Sequence, residues 1–187
     1  AKHVLVPSVA NGGSTLDSTW RTDPAFDDSA WTDGTPVVAG KTGGIGYDNA
    51  ADYLPYITYD VKTKMYNINQ TCYIRVPFTL TAEPAEFTSL TLKMRYDDAF
   101  VAYLNGQEVQ RTSNAPATLA WNSGATSASA ESSSFLEFNI TSKLPALHTG
   151  NNLLAIHGLN YLVGSSDFLI SPELAAAQTI IIPEDPM

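Results

Sequence analysis

Hydrophobic alternation with a period of two constrains this chain more than any other feature. In TCYIRVPFTL, residues 71–80, Cys72, Ile74, Val76, Phe78 and Leu80 fall on one side, and Tyr73 and Arg75 on the other. SLTLKMRY alternates in the same way, with Leu90, Leu92, Met94 and Tyr96 against Thr91, Lys93 and Arg95. FLEFNI places Leu136, Phe138 and Ile140 opposite Glu137 and Asn139. Successive side chains of a strand point to opposite faces, so each run reads as a strand with one buried face. NNLLAIHGLNY is apolar on both faces, as a central strand would be. DFLISPEL and QTIII read as late strands, and KHVLV as a first one. No segment carries a sustained helical stripe. DPAFDDSAW and TSKLPALHTG each read as a short helical turn, the second ended by Gly150. The expected fold class is all-β: two antiparallel sheets packed as a β-sandwich, with one or two short helical turns.

The stretch YDDAFVAYLNGQEVQR, residues 96–111, holds the sharpest local signal. Asn-Gly between two alternating runs favours a type I′ hairpin, because both residues accept a positive φ. With Asn105-Gly106 as the turn, Leu104 faces Gln107, Ala102 faces Val109 and Phe100 faces Arg111. Phe100, Ala102, Leu104 and Val109 then share a face. Asp97 and Asp98 open the stretch. As consecutive strand residues they are expected on opposite faces, which argues against a catalytic carboxylate pair converging on one atom.

Length and charge narrow the function. The 187 residues suit one domain spanning residues 1–187, and 44% hydrophobic content supplies a core. Ala1 at the start reads as a mature or excised piece of a longer protein. The net charge of -9 disfavours nucleic acid and anionic membrane surfaces. No apolar run approaches the roughly 18 residues needed to span a bilayer, so no membrane insertion is expected. The single cysteine, Cys72, excludes an internal disulfide and a thiolate zinc site, and reads as a small buried core residue. His3, His148 and His157 lack metal-ligand spacing, and His157 reads as a hydrogen-bonded structural histidine within a strand. Asn69-Gln70-Thr71 and Asn139-Ile140-Thr141 match the glycosylation acceptor pattern.

Two long loops remain, residues 40–70 and 112–134, and loops of that length are usually functional or mobile. The first is rich in tyrosine, and the second is small and polar around Trp121. Tyr53, Tyr56, Tyr59 and Trp121, with Asn and Asp nearby, have the composition of a shallow carbohydrate platform. The competing reading is that these rings plug the ends of the sandwich. Asp97, Asp98 and Arg111 are a second set of candidate polar contacts. An anionic glycan would need a basic patch such as Lys62, Lys64 and Arg111, or a bridging calcium. The N-terminal acids Asp17, Asp23, Asp27, Asp28 and Asp33 form an oxygen-rich segment. A structural Ca2+ held by Asp27 and Asp28 and joined to Glu173 is one reading of it. Capping and Asx turns are the other, with Phe26 and Trp31 anchoring the turn to the core.

In order along the chain, Trp20, DPAFDDSAW, GIGYD, YIRVPF, LTLKMRYDDAFVAYLNGQEV, NNLLAIHGLN and SSDFLISPEL carry a resemblance. The combination resembles ancillary β-sandwich domains of the galactose-binding-like jelly-roll type, and it spans nearly the whole sequence. It is similar also to the sugar-binding domains that accompany β-galactosidase-type enzymes. The resemblance implies a non-catalytic carbohydrate-binding module of a large secreted or cell-surface bacterial protein. Such a module sits beside a glycoside hydrolase or another secreted hydrolase and binds a polysaccharide or oligosaccharide. Relatives of this type often carry a structural calcium near the N-terminal loop. The alternative is a structural domain that packs against neighbouring domains of the same polypeptide without binding sugar.

Overall fold

The computed structural model describes residues 2–34, 43–129 and 133–178. Among them lie eleven strands: β1 His3–Leu5, β2 Thr32–Asp33, β3 Gly44–Asp48, β4 Ile57–Asp60, β5 Thr71–Leu80, β6 Phe87–Asp97, β7 Ala99–Leu104, β8 Gln107–Arg111, β9 Leu136–Asn139, β10 Gly150–Leu159 and β11 Asp167–Gln178. Two short α-helices, α1 Thr19–Thr22 and α2 Lys62–Met65, and three 3₁₀ turns complete the described structure. The strands form a six-stranded sheet of order β2-β1-β5-β10-β7-β8 and a five-stranded sheet of order β4-β3-β11-β6-β9. All pairings are antiparallel except β3 with β4. The expected all-β sandwich is therefore the observed architecture.

Alternation does what it implies. Cys72 and Ile74 of β5, Leu90, Leu92 and Met94 of β6, and Phe168 and Ile170 of β11 all enter one core between the sheets. β10 lies between β5 and β7, which explains its two apolar faces. Leu154 and Ile156 face the core between the sheets, while Leu153, Ala155 and Leu159 join a second cluster with Trp20, Tyr73 and Tyr103. That second layer covers the outer face of the six-stranded sheet, and Phe26 and Trp31 pack against it as the sequence predicts. Fully burying one such aromatic or aliphatic side chain contributes about 1.5–3 kcal/mol.

The Asn105-Gly106 turn forms, with φ of 49° and 85°. Leu104 pairs with Gln107, but the register slips one residue later: Ala102 pairs with Gln110 and Val101 with Arg111. The expected pairs Ala102–Val109 and Phe100–Arg111 are thus corrected by a β-bulge. The bulge still turns Val109 into the core beside Phe100, Ala102 and Leu104.

Three further expectations change. Residues 40–42 lie outside the described residues, but the rest of the first long loop is not a loop: β3, β4 and α2 are built from it. Gly46 explains β3, because a Cβ there would lie 2.0 Å from the Phe168 carbonyl oxygen of β11. The N-terminal helical turn forms at Thr19–Thr22, upstream of DPAFDDSAW. The segment after it is shaped by Asx turns, with Asp23 accepting from Ala25 N at 2.8 Å and Asp27 from Ser29 N at 3.0 Å. TSKLPALHTG makes a 3₁₀ turn over Thr141–Ala146, and Gly150, at φ 93°, opens β10. Of QTIII only Gln178 is described, and it ends β11.

Candidate functional site

A groove of the sandwich combines aromatic rings with charged groups of both signs. It has a volume of about 320 Å³ and opens on the outer face of the six-stranded sheet. Tyr73 of β5 and His157 of β10 are cross-strand partners and form its floor. Their rings meet edge to face at 4.8 Å. Trp20 of α1 stacks on Tyr73 at 4.2 Å between ring centres, and Leu119, Ala120 and Trp121 make the opposite wall. Trp121 is half-buried, whereas Trp20 and Tyr73 are buried. The wall is fixed in place from below. Asn69 Nδ2 donates to the Pro7 carbonyl at 2.7 Å and more weakly to the Trp121 carbonyl at 3.4 Å, and Thr71 Oγ1 donates to the Ser123 carbonyl at 2.7 Å.

Asp17 and Arg21 stand on the rim, four residues apart and held by separate contacts. Asp17 Oδ1 accepts from Thr19 Oγ1 at 2.5 Å and from Thr19 N at 2.8 Å, which holds its carboxyl below the usual carboxylate range. Arg21 Nη1 donates to Tyr103 Oη at 3.2 Å, and its guanidinium lies 4.5 Å from the centre of the Tyr103 ring. Aromatic rings, an anion and a cation thus surround one shallow groove.

Only Trp121 of the expected tyrosine and tryptophan set lies here. Tyr53 is 2% exposed and packs with Ile57 and Leu169 on the outer side of the five-stranded sheet, so it presents no open face. Tyr56 packs on the same cluster and carries the Arg95 guanidinium 4.7 Å from its ring centre. Tyr59 packs against the main core, and its hydroxyl accepts from Lys64 Nζ at 3.0 Å. These three rings belong to the five-stranded sheet side, away from Trp121. Tyr56 and Tyr59 are half-buried, as Trp121 is.

The acid pair is also relocated. β6 ends at Asp97 in one sheet and β7 begins at Ala99 in the other, so the chain changes sheets at these two residues. The expectation of two separate faces fails for that reason. Asp97 and Asp98 are 3% and 5% exposed and sit close enough to each other and to Asp167 to interact. Burial first, then the neighbouring charges of Asp98 and Asp167, push the Asp97 carboxyl up to about 9. Asp98 Oδ1 accepts from Ser129 N at 2.9 Å, and Asp98 Oδ2 from Tyr161 N at 2.7 Å. The pair therefore ties two loops to the corner between the sheets and offers no carboxylates to open surface.

Arg111 forms a two-pronged ion pair with Glu108 at 2.8–2.9 Å and donates to the Pro116 carbonyl at 2.6 Å. It lines a separate polar depression with Asn114 and Ser129. Lys62 and Lys64 lie in α2, beside β3, whereas Arg111 ends β8 at the edge of the other sheet. The three make no single basic patch.

The calcium set does not assemble. Asp28 Oδ2 lies 2.6 Å from Arg75 Nε and its Oδ1 2.6 Å from His3 Nδ1, on the outer face of the six-stranded sheet. Asp27 makes the Asx turn described above. Glu173 is exposed on β11 opposite Lys93, on the outer face of the other sheet. The sandwich separates Asp27 and Asp28 from Glu173, so these residues do not fit one ion. Among the described residues no group of three or more His, Cys, Asp or Glu is placed to hold a metal ion. Asn69, the first glycosylation candidate, is buried and bonded as stated above.

The sequence did not mark Tyr73, Trp20, His157, Asp17 or Arg21 as groove residues. One signal was present: Tyr73 sits on the otherwise polar face of β5, and an outward aromatic must be covered by something.

The fold is a β-sandwich with a groove on the outer face of its six-stranded sheet. No family model matches the sequence, and no curated protein matches it. Among solved structures, the chain is similar to a calcium-binding mutant of Bacteroides uniformis beta-glucuronidase 2, at 18% identity and a TM-score of 0.44, covering 90% of this chain and 17% of that one. It is similar to a beta-glucuronidase of an uncultured Clostridium sp., at 15% identity and a TM-score of 0.46, covering 86% of this chain and 21% of the other. A glycosyl hydrolase family 2 member from Bacteroides cellulosilyticus aligns at 12% identity and a TM-score of 0.43, covering 92% and 20%. The chain thus spans about a fifth of the length of these proteins.

Proposed function

We propose that this chain is a non-catalytic carbohydrate-binding module of a secreted or cell-surface multidomain protein. In this reading it holds a linked hydrolase near its polysaccharide and raises the local substrate concentration. The observation that carries the reading is the groove: Trp121 on one wall, the Trp20–Tyr73 stack beneath, and Asp17 and Arg21 on the rim. The burial of Asp97 and Asp98, with both Asp98 oxygens bonded to backbone N–H groups, supports a binding role rather than acid–base catalysis.

Affinity electrophoresis of the chain through gels of neutral and acidic polysaccharides tests the proposal. Retardation by at least one polysaccharide is expected, together with its loss in Trp121→Ala at an unchanged circular dichroism spectrum. Full mobility in every gel would end this reading.

A second reading, packing against a neighbouring domain, has its own observation. One end of the sandwich is open between the sheets, where Phe78, Leu80, Phe87, Leu147 and Leu174 line an apolar cavity of about 340 Å³. Retention of sugar binding by Leu80→Asp would separate this surface from the groove.

A further inference from the structure

A separate depression lies at the side of the sandwich, where β8 is the edge strand of one sheet and β9 of the other. It holds about 320 Å³ and shares no lining residue with the Trp121 groove. Tyr96 of β6 and Phe138 of β9 are its aromatic residues, and both are half-buried. Phe100 of β7, fully buried, meets the Tyr96 ring at 5.0 Å and the Phe138 ring at 5.7 Å, edge to face in both cases. The two rings are therefore held from within the core while they line the depression.

The polar wall is held as firmly. Asn114 Nδ2 donates to the Ser127 carbonyl at 2.8 Å and to the Asp98 carbonyl at 3.3 Å. The Asn114 carbonyl accepts from Thr126 N at 2.8 Å and from Thr126 Oγ1 at 3.0 Å. Gln110 Nε2 donates to the Arg111 carbonyl at 3.1 Å. These bonds orient both amides by their nitrogens. Asn114 Oδ1, Gln110 Oε1 and the Tyr96 hydroxyl take no hydrogen bond among the described residues. Burial pushes the Tyr96 phenol up, so it keeps its proton at neutral pH. Arg111 is the one ionised side chain of the lining, and Glu108 matches its charge.

Two seated rings beside two oriented amide acceptors and a hydroxyl match a molecule with apolar C–H faces and a rim of hydroxyls. Groups already fixed lose little freedom on binding. The volume lies at the small end of the roughly 300–1,000 Å³ of small-molecule sites. We infer that this depression is a second saccharide subsite, taking one neutral sugar ring between the Tyr96 and Phe138 rings and the Gln110 and Asn114 amides. The inference rests on the carbohydrate reading and adds a second point of contact for it. A few neutral hydrogen bonds and one ring contact set an affinity on the order of 1 mM, so the subsite holds no polysaccharide in a gel by itself. Engaged together with the groove on a long polysaccharide, it adds avidity.

The experiment is a set of ¹H–¹⁵N correlation spectra of the intact chain, titrated with cello-, manno-, galacto- and xylo-oligosaccharides to about tenfold above that affinity. At least one sugar should move the amides of Ser113, Asn114 and Ser127 along one saturating curve, and those of Ala120 and Trp121 along a second, tighter one. The first curve should persist in Trp121→Ala. Gln110→Ala, and Tyr96→Phe, which deletes only an unbonded oxygen, should each weaken the first curve about two- to tenfold and leave the second unchanged. Movement confined to Ala120 and Trp121 overturns the second subsite and leaves the carbohydrate reading standing. A first curve unchanged in both variants overturns it as well. Movement of the first set alone upholds the subsite and overturns the groove. No movement with any sugar overturns both.

Discussion

Arg75 donates its Nε to Asp28 Oδ2 at 2.6 Å, and this ion pair fastens the N-terminal segment to the centre of a sheet. The Arg75 side chain is 1% exposed. Its remaining N–H groups are taken by the carbonyls of Trp20, Asp23 and Pro24. The guanidinium also lies 5.1 Å from the centre of the Phe26 ring. One buried cation thus organises the covering layer that holds Trp20 over Tyr73.

Removing the anion should be severe. Asp28→Ala leaves a buried guanidinium with no countercharge, a loss of about 3–5 kcal/mol. Urea unfolding followed by tryptophan fluorescence measures it. A midpoint close to that of the wild type would show that the carbonyl partners alone hold Arg75.

The acid corner predicts a pH dependence. A carboxyl whose pKa is raised in the folded chain binds its proton more tightly there than when unfolded. The stability from Asp97 is therefore full below its ordinary value of 3.8 and falls as pH rises toward about 9. His157 acts with the opposite slope: its stability is full above 6.5 and is lost as pH falls toward about 3. Of these two groups only Asp97 acts between pH 6.5 and 9. Unfolding free energy should decline across that interval, and Asp97→Asn, which keeps a donor without the charge, should flatten the decline.

Gly46 admits no side chain. Alanine there would press its Cβ against the Phe168 carbonyl and force β3 away from β11. Gly46→Ala should lose about 1–3 kcal/mol or more in chemical denaturation. Gly150→Ala meets no neighbour within 4 Å and bears only the strain of its positive φ, so it should lose less.

Cys72 should be silent toward thiol reagents. It is fully buried in the main core, and burial pushes its thiol pKa up, so little thiolate forms near neutral pH. Labelling by a disulfide reagent should be negligible in buffer and complete in denaturing urea. Rapid labelling in buffer would contradict the packing of β5.

The sequence by itself determined the alternating strands β5, β6 and β9 and their faces. Thr71–Leu80 is bounded as the alternation bounds it, and Asn105-Gly106 turns where its φ preference requires. Local chemistry decides such features, because period and turn preference act over a few residues. The tertiary structure decided the rest. The bulge beside Val109, the change of sheet at Asp97 and Asp98, and the strand made from Gly44–Asp48 depend on which strands meet. The groove is of the same kind. Trp20, Tyr73, Trp121 and His157 come from four separate segments, and no local pattern records that α1 and residues 119–121 close over one face of one sheet. The loop tyrosines read as a surface because composition does not reveal burial, whereas Tyr53 is buried by contacts with residues far along the chain.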